Sequence, residues 1–415
     1  MTMAKTHVLI VGGGAAGIMA AIAARRNGAN VTILERNLRI GKKILATGNG
    51  RCNYTNINAD VSNYHGNNPK FAYAALSSFS PLDTINFFEE LGVVHKIEEL
   101  GKVFPMSDQA SSILDVLLYE LNNIGVKILC DTLVKNIKPS NDKFVVELVD
   151  KSKIQGDRVI IATGGKAMPS TGSDGNGFEL ARRLGHTITD IFPGLVQLKL
   201  EGTFFKQIQG VKFIGTAELL RENKILAKDR GDILFANYGV SGPPILQISR
   251  KAAEMLNNGQ EAILKIIIID SMEKEKIKHL LVTRIKSRPH KPLDFSLVGL
   301  VNKRLIPVLL KEAGFTVIKI PVASLTNKDL DRIVHILTDW RFKIRGTKSW
   351  PSAQVTAGGI ATQEINPSTM ESKLIKGLYF AGEIIDIDGE CGGFNLQWAW
   401  SSGYLAGQHA ASWQS

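Results

Sequence analysis

Residues 7–35 of the chain read HVLIVGGGAAGIMAAIAARRNGANVTILE. The apolar run at residues 7–11 predicts a short buried strand, and the alanine-rich stretch at 15–27 predicts a buried helix that Gly28 ends. Residues 30–34, NVTIL, predict a second strand. The order strand, tight glycine turn, helix and strand predicts the start of a parallel α/β sheet.

Within this stretch, Gly12 to Gly17 match the pattern G-x-G-x-x-G between a strand and a helix. The first glycine permits a sharp turn, the second lets the backbone approach a pyrophosphate, and the third allows close packing. Glu35 ends the next strand, where a carboxylate accepts hydrogen bonds from an adenosine ribose and repels a 2′-phosphate. This predicts a Rossmann-type site for FAD or NAD rather than NADP, the alternative being a glycine turn without a ligand. The predicted contacts here are Gly12, Gly14, Ala15, Ala16, Gly17, Glu35 and Arg36.

Two later segments favour FAD over NAD as the bound cofactor. Residues 159–165 read VIIATGG, and residues 378–383 read LYFAGE, so each is a strand that runs into glycine. They resemble the segments with which flavoproteins of the glutathione-reductase and fumarate-reductase type close their sheet around FAD. The chain departs from those families at Glu383, where they usually carry Asp. The resemblance implies contacts at Thr163, Gly164, Gly165, Gly382 and Glu383.

A closer resemblance is spread along most of the chain. It rests on TGNGRCNYTN at 47–56, GKVFP at 101–105, VTAGG at 355–359 and the run from Asp386 to Gln397. In this combination and order the motifs resemble a bacterial flavoprotein family that includes aminoacetone oxidases and bile-acid dehydro-reductases. The resemblance implies non-covalently bound FAD and hydride transfer between the flavin and a small organic substrate.

The family motifs also imply roles for single residues. Lys42, Lys43 and Arg51 are predicted to neutralise the pyrophosphate, the alternative being a solvated basic loop. The turn before the last helix is predicted to place a positive helix end at the flavin pyrimidine, and an ordinary helix start is the alternative. A thiol relay through Cys52 is less favoured than a buried small side chain. The remaining predicted cofactor contacts are Thr47, Asn49, Gly50, Cys52, Asn53, Val134 (backbone, at adenine), Gly393, Asn395 and Leu396.

The domain prediction is a discontinuous FAD domain, 1–192 plus 345–415, interrupted by an inserted domain at 193–344. The insertion is predicted to be β-rich over 193–270 and helical over 271–340, and to supply the substrate-facing wall. Tyr238 and Ser241 are its weak catalytic candidates, although a structural Gly-Pro turn is the favoured explanation of these residues. The family pattern carries Thr-His where this chain has Ala236-Asn237, so no histidine acid or base is implied there.

Composition limits the remaining function classes. Three cysteines without C-x-x-C argue against a disulfide framework or a metal cluster and favour a reducing cytoplasm. No apolar run is long enough to cross a bilayer. The net charge of +11 lies mostly in the insertion, but without a run of five basic residues, so a solvated surface or an anionic small substrate is favoured over nucleic acid.

The sequence therefore predicts an FAD-dependent reductase of a small molecule, with NAD(P)H as the electron donor. Because no second G-x-G-x-x-G marks a separate nicotinamide domain, the donor is expected to bind only transiently. An amine oxidase that uses oxygen and an RNA-modifying flavoprotein remain as alternatives. The oligomeric state is left open.

Overall fold

A computed structural model describes residues 5–412. The chain divides into two units: the first ends at Phe192 and resumes at Ala353, and the second is Pro193–Ser352. The second segment of the first unit thus begins later than the predicted residue 345. The reason is that Trp340–Thr347 is one continuous strand of the second unit.

A parallel sheet forms the centre of the first unit. In the described part of the chain its strand order is Leu378–Phe380, Arg158–Ile161, His7–Val11, Asn30–Leu34 and Lys127–Leu129. All neighbouring pairs are parallel, and the strands at its middle are buried, as their uninterrupted apolar runs predict. The Rossmann-type fold is confirmed.

Two helices pack tightly beside this sheet. The first helix is Ala15–Arg26 and the last helix is Phe394–Ala411. A Cβ atom built on Gly403 would lie 2.4 Å from the carbonyl oxygen of Ala16, and one built on Gly407 would lie 2.2 Å from that of Ala20. The small residues of the last helix therefore allow its backbone to come into van der Waals contact with the backbone of the first helix.

The other elements of the first unit surround this centre. Its remaining helices are Ala72–Ser78, Pro81–Glu90, Ala110–Asn123 and Asn176–Arg183. Its remaining strands are Thr55–Asn56, Tyr64–His65, His95–Ile97, Lys102–Pro105, Val134–Ser140, Lys143–Leu148, Lys153–Gly156, Val355–Ala357 and Asp388–Gly389, and Phe192–Gly194 spans the boundary between the units.

The second unit contains a closed antiparallel barrel. In the described part of the chain its strand order is Leu198–Leu200, Gly239–Ser241, Lys224–Ala236, Lys212–Arg221, Ile263–Ile267 and Trp340–Thr347. Its helices are Phe205–Ile208, Pro243–Asn257, Lys274–Ser287, Leu293–Ser296, Ile306–Glu312 and Asn327–Thr338. The helix Pro243–Asn257 lies inside the stretch predicted to be β-rich. It forms because two prolines open its first turn and Ile245, Ile248 and Ala252 recur at helical spacing on its buried face.

One buried polar cluster in the first unit is expected to make its stability depend on pH. The imidazole of His186 is enclosed, with Nδ1 3.2 Å from Glu364 Oε2 and Nε2 2.9 Å from Ser372 Oγ. Burial lowers the pKa of His186, although Glu364 acts in the opposite direction. The Ser372 hydroxyl oxygen already accepts the N–H groups of Leu374 and Ile375, so it is a poor acceptor for a second imidazole proton.

We expect the stabilising effect of neutral His186 to be complete above about pH 6.5, its ordinary pKa, and to be lost as the pH falls below it. The unfolded chain then takes up a proton that the native cluster excludes, with a limiting slope of about 1.4 kcal/mol per pH unit for one proton. Urea unfolding of the wild type and of His186→Asn at pH 7.5 and pH 5.5 tests this. The stability difference between the two proteins should shrink on acidification, and a pH-independent difference would contradict the assignment.

Candidate cofactor site

The glycine turn after the first strand is constrained on one side and open on the other. Gly12 has φ +105°, and a Cβ on it would lie 2.6 Å from the carbonyl oxygen of Ala162. A Cβ on Gly17 would lie 1.9 Å from the carbonyl oxygen of Gly12, whereas one on Gly14 would meet no atom within 4 Å. Gly14 is the N-cap of the first helix, and no side chain caps the backbone N–H groups of that helix end. This arrangement suits a phosphate group.

Glu35 is held against the same turn. Its carboxylate is almost completely buried and accepts the N–H of Gly13 at 2.8 Å and both the N–H and the side-chain amide of Asn37 at 2.8 and 2.7 Å. The backbone oxygen of Glu35 accepts the N–H of Thr132 at 2.8 Å, which brings the start of the strand containing Val134 to this point. A carboxylate offers about four acceptor directions, so about one remains for a ribose hydroxyl.

We expect Glu35→Ala to weaken FAD binding by roughly 10- to 150-fold, because one charge-assisted hydrogen bond contributes about 1.5–3 kcal/mol. The substitution also releases the N–H of Gly13, which loosens the turn. Glu120→Ala is the matched control, since it removes a buried carboxylate that pairs with Arg26. Fluorescence titration of the apoproteins with FAD gives the dissociation constants; equal values for wild type and Glu35→Ala would refute the role of Glu35.

The loop after the turn is a compact coil with several left-handed residues. Asn49 and Cys52 have φ of +55° and +60°, and Gly48 and Gly50 are also left-handed. The Thr47 hydroxyl donates to the carbonyl oxygen of Ile44 at 2.6 Å. Cys52 is fully buried, and burial raises its pKa to about 12, so it is a thiol with no nucleophilic character at neutral pH.

The basic residues of this loop have partners within the protein. Lys42 donates to the carbonyl oxygen of Ser170 at 2.6 Å. Arg51 pairs with Glu98 and with Asp108, and its guanidinium lies 4.1 Å from the ring centroid of Phe104. Arg36 pairs with Asp174. The charge of Arg51 is thus balanced by two carboxylates, and its predicted contact with a pyrophosphate stays a prediction.

A hydrogen-bonded hub joins Lys43 to the second half of the unit. Glu383 accepts the Lys43 ammonium at 2.6 Å and the N–H of Thr356 at 2.9 Å. The Thr356 hydroxyl oxygen accepts the N–H groups of Lys166 and Ala167 at 2.7 and 3.0 Å. A Cβ on Gly165 would lie 2.3 Å from that hydroxyl, so the strand-to-glycine turn at 163–165 can approach only without a side chain.

The hub makes Thr356 a positioning residue, which is absent from the contacts predicted from sequence. The signal that could have found it is its place in the family motif VTAGG at 355–359. The hub also gives a reason for Glu383 in place of the usual Asp. The additional methylene group lets one carboxylate bridge an ammonium group and a backbone N–H on different segments.

The N-terminus of the last helix is the predicted other end of the site. Gly393 has φ +100°, and a Cβ on it would lie 2.4 Å from the carbonyl oxygen of Thr55. Asn395 closes the preceding loop, because its amide accepts the N–H of Gly389 and donates to the carbonyl oxygen of the same residue, both at 2.8 Å. Asn56 donates to the carbonyl oxygen of Gly392 at 2.8 Å. Leu396 is half-buried in the first turn, and no acidic residue lies in that turn.

The residues present fit FAD. Within the described residues, the buried atoms Thr163 Oγ1 and Asn53 Oδ1 have no hydrogen-bond partner, and buried polar atoms are rarely left without one. Thr163 belongs to the turn that packs on Gly12, and Asn53 Oδ1 lies beside Gly393. Two helix ends without side-chain caps, the buried carboxylate of Glu35 and these two polar atoms are the kinds of group that would contact a dinucleotide flavin. Among residues 5–412, no cluster of His, Cys, Asp and Glu is suited to a metal ion.

The two weak catalytic candidates lie in the second unit. Tyr238 is in the tight turn between the strands Lys224–Ala236 and Gly239–Ser241, where its carbonyl oxygen accepts the N–H of Leu200. Burial raises the pKa of Tyr238, and the Lys348 ammonium lies 4.7 Å from its ring centroid. Ser241 pairs with Leu234 in the barrel. Their place on the substrate side stays a prediction.

Comparison with known proteins gives matches over nearly the whole chain. A family model described as HI0933-like protein Rossmann domain matches residues 6–409. The chain is 42% identical over 404 residues to the 3-dehydro-bile acid delta(4,6)-reductase of Clostridium scindens, covering 97% of this chain and 98% of that enzyme. It is 32% identical to the ribosomal RNA dihydrouridine synthase of Haemophilus influenzae, with 95% and 96% covered. It is 30% identical to that of Escherichia coli, with 98% of each chain covered. No helix of residues 5–412 combines the length and apolar character needed to cross a membrane.

Proposed function

The chain belongs to the HI0933-like family of Rossmann-domain proteins and is an FAD-dependent oxidoreductase, and on this premise we propose that it reduces a carbon–carbon double bond conjugated to a carbonyl group. One observation carries the proposal: both kinds of relative are named for the same bond change. A 3-dehydro bile acid with delta(4,6) unsaturation carries its double bonds next to a ketone. Dihydrouridine is uridine whose ring double bond, also conjugated to a carbonyl, has been saturated.

Such a reduction adds a hydride to the carbon remote from the carbonyl and a proton to the carbon beside it. FAD, when bound, supplies the hydride chemistry. The glycine turn and Glu35 would hold its adenosine and pyrophosphate. Lys43, Glu383 and Thr356 would hold the ribityl region, and the last helix would direct its positive end to the flavin.

NAD(P)H is our proposed electron donor. The sequence has a single G-x-G-x-x-G, which the structure places at the first helix, so a nicotinamide would bind transiently rather than in a domain of its own. The amine oxidase alternative requires a different flow of electrons: the amine reduces the flavin and oxygen re-oxidises it. The two schemes are therefore separable by the reductant alone.

We expect NADH or NADPH to bleach the flavin absorbance of the purified protein without oxygen, and a conjugated ketone to restore it. A 3-oxo-Δ4 steroid acid is the first probe and its saturated counterpart is the control, because only the former has a double bond to reduce. Stopped-flow absorbance measures both steps. Bleaching by aminoacetone but by neither nicotinamide, followed by rapid return with oxygen, would replace the reductase with the oxidase.

A uridine in ribosomal RNA is the second candidate substrate. It is favoured by the two dihydrouridine synthases, whose lengths are matched almost completely, and by the charge of +11. Its test is incubation of an unmodified ribosomal RNA transcript with the reduced protein, followed by mass spectrometry of the nucleosides. A mass increase of two hydrogens on uridine supports it, and unchanged uridine beside an active enone reduction restricts the enzyme to small molecules.

A further inference from the structure

More than half of the net charge of the chain is concentrated in one short part of the second unit. Residues 273–304, the basic segment, contain nine Lys and Arg against three Asp and Glu. The segment consists of the helix Lys274–Ser287, the short helix Leu293–Ser296 and the loops up to Arg304. The sequence contains no long basic run here because other residues separate the cations.

The cations of the basic segment differ in what they contact. Lys278 pairs with Asp331, and Arg284 donates to the carbonyl oxygens of Ser296 and Val298. Five others are exposed, and within the described residues none of them forms an ion pair or a side-chain hydrogen bond. These five are Lys274, Lys276, Lys286, Arg288 and Lys303. Their charge is therefore available to a partner.

The same segment carries an exposed aromatic side chain. Phe295 is 58% exposed, and the Lys291 ammonium lies 4.9 Å from its ring centroid. The carboxylate of Asp294 accepts the N–H of Phe295 at 2.8 Å, which fixes the start of the short helix. An exposed aromatic ring next to a cation, in a segment rich in further cations, is the combination on which unpaired bases stack while their phosphates are neutralised.

An open groove of about 380 Å³ adjoins the end of the basic segment. It runs between Phe213 and Ile214 on one barrel strand and Leu300 and Val301 in the loop before Lys303. Ile214 is 59% exposed at its edge. The groove offers apolar walls next to the cations, which suits the faces of unstacked bases.

The basic segment does not have the form of a membrane-binding helix. Such a helix presents an apolar face to the lipid. In Lys274–Ser287, Ile277 and Leu281 are buried in the core of the second unit, so the apolar face is already used. In the basic segment, Phe295 remains as the exposed large apolar side chain. One ring is too little for a lipid-facing surface, so a polyanion whose bases can stack is the favoured partner.

We propose that the basic segment binds the phosphate backbone of a structured RNA and that Phe295 stacks on one of its unpaired bases. The inference rests on the proposed function, since a uridine offers the double bond that the reductase would saturate. It goes beyond that function by assigning the substrate-recognition surface to residues 273–304. It also revises the expectation that the charge of the insertion serves a solvated surface or an anionic small substrate.

The test uses the full-length protein and a fluorescein-labelled stem-loop RNA with an unpaired uridine. Lys286→Glu/Arg288→Glu/Lys303→Glu reverses three of the five unpaired cations. The matched control is Lys70→Glu/Lys127→Glu/Lys138→Glu, which makes the same charge change on exposed lysines of the first unit. Phe295→Ala tests stacking. Anisotropy over a salt series gives the affinity and its salt dependence.

We expect the first triple variant to weaken RNA binding by roughly 100-fold and to reduce the log–log salt slope by about 2 to 3, since each phosphate contact contributes about 0.7–0.9. The control should change the affinity by less than about threefold, and Phe295→Ala should weaken it by about tenfold. Circular dichroism and flavin content confirm that each variant is folded.

Three results would contradict the assignment of RNA binding to the basic segment. They are no RNA binding by the wild type, an equal loss of RNA affinity in both triple variants, or segment-dependent binding of phosphatidylglycerol vesicles without binding of RNA. The reductase proposal is judged separately on the same preparations. If the wild-type protein reduces an enone but does not bind RNA, only the surface is wrong. If RNA binds through the segment and neither enone nor uridine is reduced, only the reductase proposal is wrong.

Discussion

Gly14→Val is expected to yield a normally folded protein that has lost FAD. The backbone of Gly14 has φ −82°, which any residue adopts, and a Cβ there meets no protein atom within 4 Å. The added side chain would therefore project into the space where the second glycine of the motif lets a pyrophosphate approach the backbone. We expect FAD affinity to fall by about 1000-fold or more, which corresponds to the loss of roughly 4 kcal/mol.

The measurement is the flavin content of the purified variant, the melting temperature of the apoprotein and an FAD titration. FAD released from the wild type by acid precipitation confirms that the bound flavin is non-covalent. Gly17→Val is the contrasting variant, because its Cβ would lie 1.9 Å from the carbonyl oxygen of Gly12 and should prevent folding rather than binding alone. A yellow Gly14→Val protein with wild-type affinity would exclude the phosphate site from this turn.

The double variant Gly403→Ala/Gly407→Ala is expected to destabilise the first unit severely. In an ordinary helix, Gly→Ala stabilises by about 1 kcal/mol at each position. Here each new methyl group would lie 2.4 Å or less from a carbonyl oxygen of the first helix, so the two helices must separate. Backbone atoms cannot move aside as a flexible side chain can. We therefore expect the free energy of unfolding to fall by at least about 3 kcal/mol, whereas helix propensity alone predicts that it rises.

Thermal and urea unfolding measure this loss. Gln408→Ala is the control, because Gln408 is a half-buried residue of the same helix whose replacement improves helix propensity without a backbone clash. An increase in the melting temperature of the double variant would show that the close helix contact does not constrain the fold.

Local sequence patterns are sufficient for the centre of the first unit. The short β-branched stretches at His7–Val11 and Asn30–Leu34 and the longer alanine-rich stretch between them are typical of buried strands and a buried helix, as their lengths and the flanking glycines indicate. The family motifs extend the prediction to FAD and to the two ends of its site. Each of these inferences depends on residues that are neighbours in the chain.

The second unit is less predictable. The sequence pattern predicts a β-rich stretch over residues 193–270, yet Pro243–Asn257 is a helix in the middle of the barrel sequence. Leu198–Leu200 pairs with Trp340–Thr347 to close that barrel, across more than a hundred residues of the chain. Strand pairing over such a separation is decided by which edges remain free after the nearer strands have paired, and no local pattern records it.

Tertiary structure alone decided the partners of the charged residues. From sequence, Lys43 and Arg51 are equivalent basic residues in one glycine-rich loop. The fold brings Lys43 to Glu383, 340 residues away, while Arg51 lies between Glu98 and Asp108. The sequence by itself determined the Rossmann-type core and predicted where the cofactor binds, because strand and helix periodicity and glycine spacing are local. Which charges are neutralised and which stay exposed, as in the basic segment, depends on side chains that meet only after folding.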